Sequence, residues 1–229
     1  KIKLSKNQIE DFENFIPILN DMRKKWVIPV SNISPNKKSF KTWLIWADSH
    51  IPYQNNEVIK ILLKICDDVK FDGMAILGDF MDFDCISHWN KNKPQRVEGK
   101  RLTKDYAEGN IILDEFDKRL PLYCNKKFFF GNHERFYYDL IEGQPALEGL
   151  GSPTINLKLI ERGYKVFDTI NHIDKLGKLS LTHGMYTGDT AVKKHVQAFM
   201  TNVLFAHVHS QAEFCAPSPA KEISTYGAS

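Results

Sequence analysis

From residue 41 onward, short apolar runs end on clusters of Asp, Asn and His, and helix-patterned stretches separate the runs. Thr42–Ala47 stops at Asp48-Ser49-His50, Met74–Leu77 at Gly78-Asp79, and Lys127–Phe130 at Gly131-Asn132-His133. Asn202–Ala206 stops at His207-Val208-His209. Apolar runs of this length suit buried strands better than helices. Between them lie Glu57–Lys70, with Val58, Ile61, Leu62, Ile65 and Val69 at helical spacing, and Thr103–Leu120, with Ile112, Leu113, Phe116 and Leu120. Strands alternating with amphipathic helices predict an α/β core around an at least partly parallel sheet. Further on, Tyr164–Phe167, Thr169–Ile173 and Lys178–Thr182 read as short strands, and Leu176-Gly177-Lys178 as a tight turn. With Thr190–Met200 as a helix, these late strands predict a second sheet packed on the first.

The chain divides at about residue 40. In residues 1–40, Ser5 can cap a helix carrying Ile9, Phe12, Phe15, Ile16 and Leu19, and a polar stretch with Pro29 and Pro35 follows. Residues 41–229 suit a single domain. No apolar run reaches the length of a membrane span, so no membrane partner is expected. The four cysteines contain no CxxC pair and read as reduced thiols, which makes a cytoplasmic location the expectation. Charge is segregated. Residues 23–41 carry +6 without an acid and residues 91–104 carry +5, so with a net charge of +3 the rest of the chain holds −8. Segregated positive charge can attract a polyanion, although solvated loops give the same pattern.

The polar clusters have the chemistry of a metal site assembled at strand ends. Asp48 and His50 flank one residue, and on an extended segment such residues point the same way and can reach one ion. His207 and His209 repeat that spacing. Asp79 follows a glycine that permits a sharp turn, and its two oxygens can bridge two ions. Asn132 adds an amide oxygen, and His183-Gly184 supplies a further imidazole. Oxygen and nitrogen donors without a thiolate fit Mn, Fe, Zn, Co or Ni.

Taken in order, Asp48-x-His50, Gly78-Asp79-x-x-Asp82, Gly131-Asn132-His133-Glu134, His183 and the His207-x-His209 pair resemble the motifs of the calcineurin-like metallophosphoesterases, especially their compact bacterial and phage forms. The resemblance runs from about residue 41 to the end. It implies a two-sheet αββα sandwich and two divalent ions, manganese being the first expectation. One ion would lie among Asp48, His50, His209 and a bridging Asp79, the other among Asp79, Asn132, His183 and His207. It further implies in-line attack on phosphorus by a hydroxide held between the ions. His133 would stabilise charge and protonate the leaving oxygen, and Asp82 would orient it.

Ala206 replaces the usual glycine before the last His pair. Phe83 stands where an Arg often follows the second motif, so a phosphate grip would come from Arg135, Arg96 or Arg101. For Arg135 the competing reading is a helix-surface pair with Asp139. The long connection between Asp82 and Gly131 also carries His88, Trp89, Lys93 and Lys100. There an indole could stack on a base while the cations neutralise phosphates. The leading expectation is therefore a phosphodiesterase or nuclease acting on nucleic acid or a nucleotide. A phosphomonoesterase shares the same ligands, and a non-catalytic binding scaffold would be expected to have lost some of them.

Overall fold

The computed structural model describes residues 40–169, 171–216 and 225–228. The helix expected from Ser5 and nearly all of the basic stretch 23–41 lie outside them. A first sheet consists of β1 (Trp43–Trp46), β2 (Gly73–Ile76), β3 (Asn125–Phe129) and β4 (Tyr164–Phe167), in that order and all parallel. The connection from β1 to β2 carries α1 (Asn56–Asp68), and that from β2 to β3 carries α2 (Leu102–Arg119). α3 (Arg135–Gly143) and the short α4 (Pro153–Asn156) lead from β3 to β4. The second sheet holds β5 (Asp174–Leu176), β6 (Leu179–Thr182), β7 (Asn202–Phe205), β8 (Glu213–Ala216) and β9 (Thr225–Ala228), in the order β5-β6-β7-β9-β8. α5 (Ala191–Phe199) connects β6 to β7, which run parallel.

Side-chain alternation along each strand sorts the core into layers. Leu44, Trp46, Met74, Ile76 and Phe128 face the side where Ile59 of α1 and Leu113 and Phe116 of α2 pack. The opposite faces of these strands, with Ala75 and Phe129, meet Leu181 and Leu204 of the second sheet. Val203 and Phe205 of β7 turn away from that interior toward Val192 and Val196 of α5. The result is an α/β arrangement of two sheets face to face, with helices on the outer sides. Every residue of β2 is buried, as expected of a strand covered on both faces.

Two sequence expectations shift in detail. The Asn55 side chain caps α1 by accepting from the backbone of Glu57 and Val58, but the helix buries Ile59 and Cys66, with Leu62, Leu63 and Ile65 partly covered. Val58 and Val69 are exposed, because this apolar segment offers two overlapping stripes and the sheet selects the one centred on Ile59 and Cys66. The strand expected at Thr169–Ile173 forms instead at Asp174–Leu176. The turn at Gly177 pairs Leu176 with Leu179 and Asp174 with Leu181, so pairing propagates back from the turn into Asp174. All four cysteines are free thiols, and burial pushes those of Cys66, Cys85 and Cys124 up to about 11. Among the described residues no helix is long and apolar enough to cross a membrane.

Candidate metal centre

Parallel strands deliver their following loops to one edge of a sheet, and here both sheets do so at the same place. Asp48, Asp79 and Asn132 follow β1, β2 and β3, while His183 and His207 follow β6 and β7. The two edges are tied directly. His183 Nδ1 donates to the Leu77 carbonyl at 2.7 Å, and the His207 amide donates to Asp48 Oδ2 at 2.9 Å. Carbonyl acceptance at Nδ1 assigns the His183 proton to that nitrogen and leaves Nε2 as a lone-pair donor.

Donor atoms of Asp48, His50, Asp79 and His209 lie within 4.8 Å of one another, and so do those of Asp79, His183 and His207. Asn132 Oδ1 joins the second group, 3.1 Å from His183 Nε2. Asp79 belongs to both groups and is 1% exposed. These Asp and His groups could hold a metal ion, and the local geometry fits one. His183 Nε2 faces Asn132 Oδ1 and, at 3.4 Å, Asp79 Oδ2, so acceptors face acceptors. His50 Nδ1 lies 3.1 Å from an Asp82 oxygen, and its Nε2 faces His209 Nε2 at 3.0 Å. Asp48 Oδ1 is buried without a hydrogen-bond partner. A cation within each donor group would satisfy the acceptors that face one another there.

In the bare chain a second proton on His183, at Nε2, takes the place a cation would fill. Burial alone would raise the Asp79 carboxyl, but the hydrogen bond and charge of His183 outweigh it and bring its pKa to about 2. Asp48 moves upward, driven first by burial and further by the Asp79 charge. Burial opposes charge on His183 and His50, yet Asp79 raises the first and Asp82 and Asp79 raise the second. His207 is lowered by burial and by His183.

The backbone differs from the expected extended spacing. Asp48, His50, Asp79, His207 and His209 all have φ between 47° and 76°. Residues two apart therefore converge because each turns through the left-handed region, not because a strand alternates. That conformation costs roughly 1–2 kcal/mol per non-glycine residue and concentrates at functional sites. Two glycines make room for it. A Cβ on Gly78, at φ 93°, would sit 2.6 Å from the Gly131 nitrogen, and one on Gly131 would sit 2.1 Å from Asp79 Oδ1.

His133 flanks the cluster, its ring 4.5 Å from that of His50. Its Nδ1 donates to the Asp82 carbonyl oxygen at 2.7 Å, which leaves Nε2 for other chemistry. The Asp82 carboxylate lies 3.5 Å from His133 Nδ1 but only 3.1 Å from His50 Nδ1, so it serves two rings where the sequence pointed to one. Of the expected substrate contacts, Arg135 pairs with Asp139 at 3.3 Å, as its competing reading held. Lys100 pairs with Asp84, and the Arg101 guanidinium donates to the Lys100 carbonyl at 2.7 Å. Trp89 and Arg96 line a cavity that also includes His133 and Asp82.

Two residues without an expected role support the centre. Glu134, fully buried, accepts from the amides of Asp79, Met81 and Gly131 at 2.8–3.0 Å and so ties the loop after β2 to the loop after β3. Its position beside Asn132 and His133 was the available signal. His195 of α5, also fully buried, donates from Nδ1 to the Ala191 carbonyl and accepts the Met185 amide at Nε2, bracing the loop that follows His183. One histidine in a helical stretch gives no such signal. No protein-family profile matches the chain, and a search of curated proteins finds no match.

Proposed function

We propose that the protein is a metal-dependent phosphoester hydrolase of the calcineurin-like kind that its motifs resemble. The observation that carries this is the convergence of Asp48, His50, Asp79, Asn132, His183, His207 and His209 into two donor groups sharing Asp79. Asp48, His50, His209 and Asp79 would hold one divalent ion, and Asp79, Asn132, His183 and His207 a second, with manganese the first candidate. When bound, such ions supply Lewis acidity toward phosphoryl oxygens and lower the pKa of the attacking water. Asp79 would be the shared ligand because it is buried and anionic, its Oδ2 faces both His183 Nε2 (3.4 Å) and His50 Nε2 (3.9 Å), and the His133 amide holds its Oδ1 at 2.9 Å. His133 holds its Nδ1 proton on the Asp82 carbonyl, and its Nε2 carries the proton for the leaving oxygen.

The test is hydrolysis of bis(p-nitrophenyl) phosphate and p-nitrophenyl phosphate by protein stripped with chelator and reloaded with single divalent metals. Turnover that returns with metal and disappears with chelator supports the reading. No hydrolysis of either ester with any of Mn, Fe, Zn, Co or Ni overturns it.

A further inference from the structure

The connection between β2 and α2 folds back beside His133. It forms two 3₁₀ turns, His88–Asn90 and Pro94–Val97. Ser87 Oγ accepts the Trp89 amide at 3.3 Å. Asn90 Nδ2 donates to the Asp84 carbonyl at 3.0 Å and to its carboxylate, and Lys100 closes on the same carboxylate. So held, the segment presents Trp89 with 70% of its surface exposed, the opposite of a core role. The indole rests against His88 (centroids 4.4 Å apart), His88 against Phe136 (5.2 Å), and Phe136 against His133 (4.9 Å). A cavity of about 300 Å³ lies among Asp82, Asp84, Trp89, Arg96, His133 and Phe136. Its size falls in the range of small-molecule sites.

Charge at this wall is selective. Lys100 neutralises Asp84 and also lies 5.3 Å over the Tyr53 ring. Arg135 and Arg101 have the partners described above. Arg96 has no ion pair among the described residues, and it is the arginine among the residues that line the cavity. Phe83 cannot take that role, since it is fully buried against Tyr106. On the other flank, a second cavity of about 190 Å³ opens among Asp48, Ala206, Val208 and His209. The His50 ring touches both His133 and His209, so the two cavities stand at the ends of a row of three imidazoles. A phosphomonoester carries one organic substituent on phosphorus, whereas a diester carries two. Space on both flanks fits the diester.

Building on the hydrolase reading, we infer that the substrate is single-stranded nucleic acid, with one base stacked on Trp89 and a phosphate next to the scissile one on Arg96. Base stacking on an exposed indole requires bases free of a duplex, and it tolerates any sequence.

The inference is tested by anisotropy of a fluorescein-labelled five-residue oligothymidylate on the chelated protein, where nothing is hydrolysed. Trp89→Ala and Arg96→Ala should each weaken binding by about tenfold. Arg96→Ala should also lower the slope of log affinity against log salt by about 1, because one phosphate contact is lost. Trp89→Phe, which keeps a ring, should recover most of the loss. Lys93→Ala removes a charge from the same segment away from the cavity and should cost much less. Equal losses in Lys93→Ala and Arg96→Ala, or parental affinity in Trp89→Ala, overturn the subsite. So does equal affinity for a stable hairpin whose thymidines are all base-paired. Chromogenic diester hydrolysis without oligothymidylate binding also overturns the subsite and leaves the hydrolase reading standing. Oligothymidylate binding that depends on Trp89 and Arg96, without hydrolysis of any ester, supports the subsite and overturns the hydrolase reading.

Discussion

Glu134 shows how much one buried carboxylate can organise. Three amides converge on its two oxygens from loops that each carry candidate ligands. Burial raises its pKa, while the amides of Met81 and Gly131 favour the ionised form. Glu134→Gln replaces one acceptor oxygen by a donor facing a backbone N–H, which should cost about 2–3 kcal/mol and weaken metal binding. Urea unfolding and metal analysis of the variant would check both effects. Asp79→Asn should reduce activity more than any other conservative ligand change, because a neutral amide bridges two cations poorly. Parental turnover in that variant would refute the shared-ligand assignment. His133→Ala should lower kcat by roughly 10²–10⁴ with metal content unchanged, the range for a positioned acid. Loss of metal would make His133 a ligand instead. At His195, burial lowers the pKa against the opposing hydrogen bond to Ala191. The unfolded chain takes up a proton near pH 6.5 that the folded ring refuses until lower pH, so this residue removes stability as pH falls below about 6.5. The stability advantage of the parent over His195→Gln should therefore narrow between pH 7 and pH 5, measured as the difference in Tm.

At the scale of the element, each strand matters for where its following loop starts. β1, β2 and β3 were readable as apolar runs, and their parallel order followed from the helices between them. Ile112, Leu113, Phe116 and Leu120, read as the α2 stripe, are all buried. The buried face of α1 was not readable, because its apolar residues satisfy helical spacing in two rotations and only the sheet chooses. β8 and β9 gave no signal, since each has four residues and β9 is inserted between the β8 that precedes it and the more distant β7. The candidate ligands were legible as residue types at strand ends, but their left-handed backbone was not. Asp, Asn and His are the side chains that most readily enter that region, so the residues suited to ligation also permit the turn. The turn needs space as well. Gly131→Ala would drive a methyl into Asp79 Oδ1 and should lower Tm and metal content together, as thermal melts with and without added manganese would show.

Across the whole domain, the first sheet contributes Asp48, His50, Asp79 and Asn132 to the centre, and the second contributes His183, His207 and His209. The loops around the centre are therefore also the seam between the sheets. An ion held there binds the folded chain and not the unfolded one, so stability should rise with metal concentration as RT ln(1 + [L]/Kd). Chelation should lower Tm, and graded reloading should restore it. A Tm indifferent to metal would mean that the ions do not bridge the sheets. The consequence reaches past the site itself to the amount of protein present. In a cell short of the metal, a chain fastened in this way would open more often, and proteases would remove it faster. Scarcity would then act as a regulator of abundance, and a partial deficit would leave fewer folded molecules, each of them still metal-loaded.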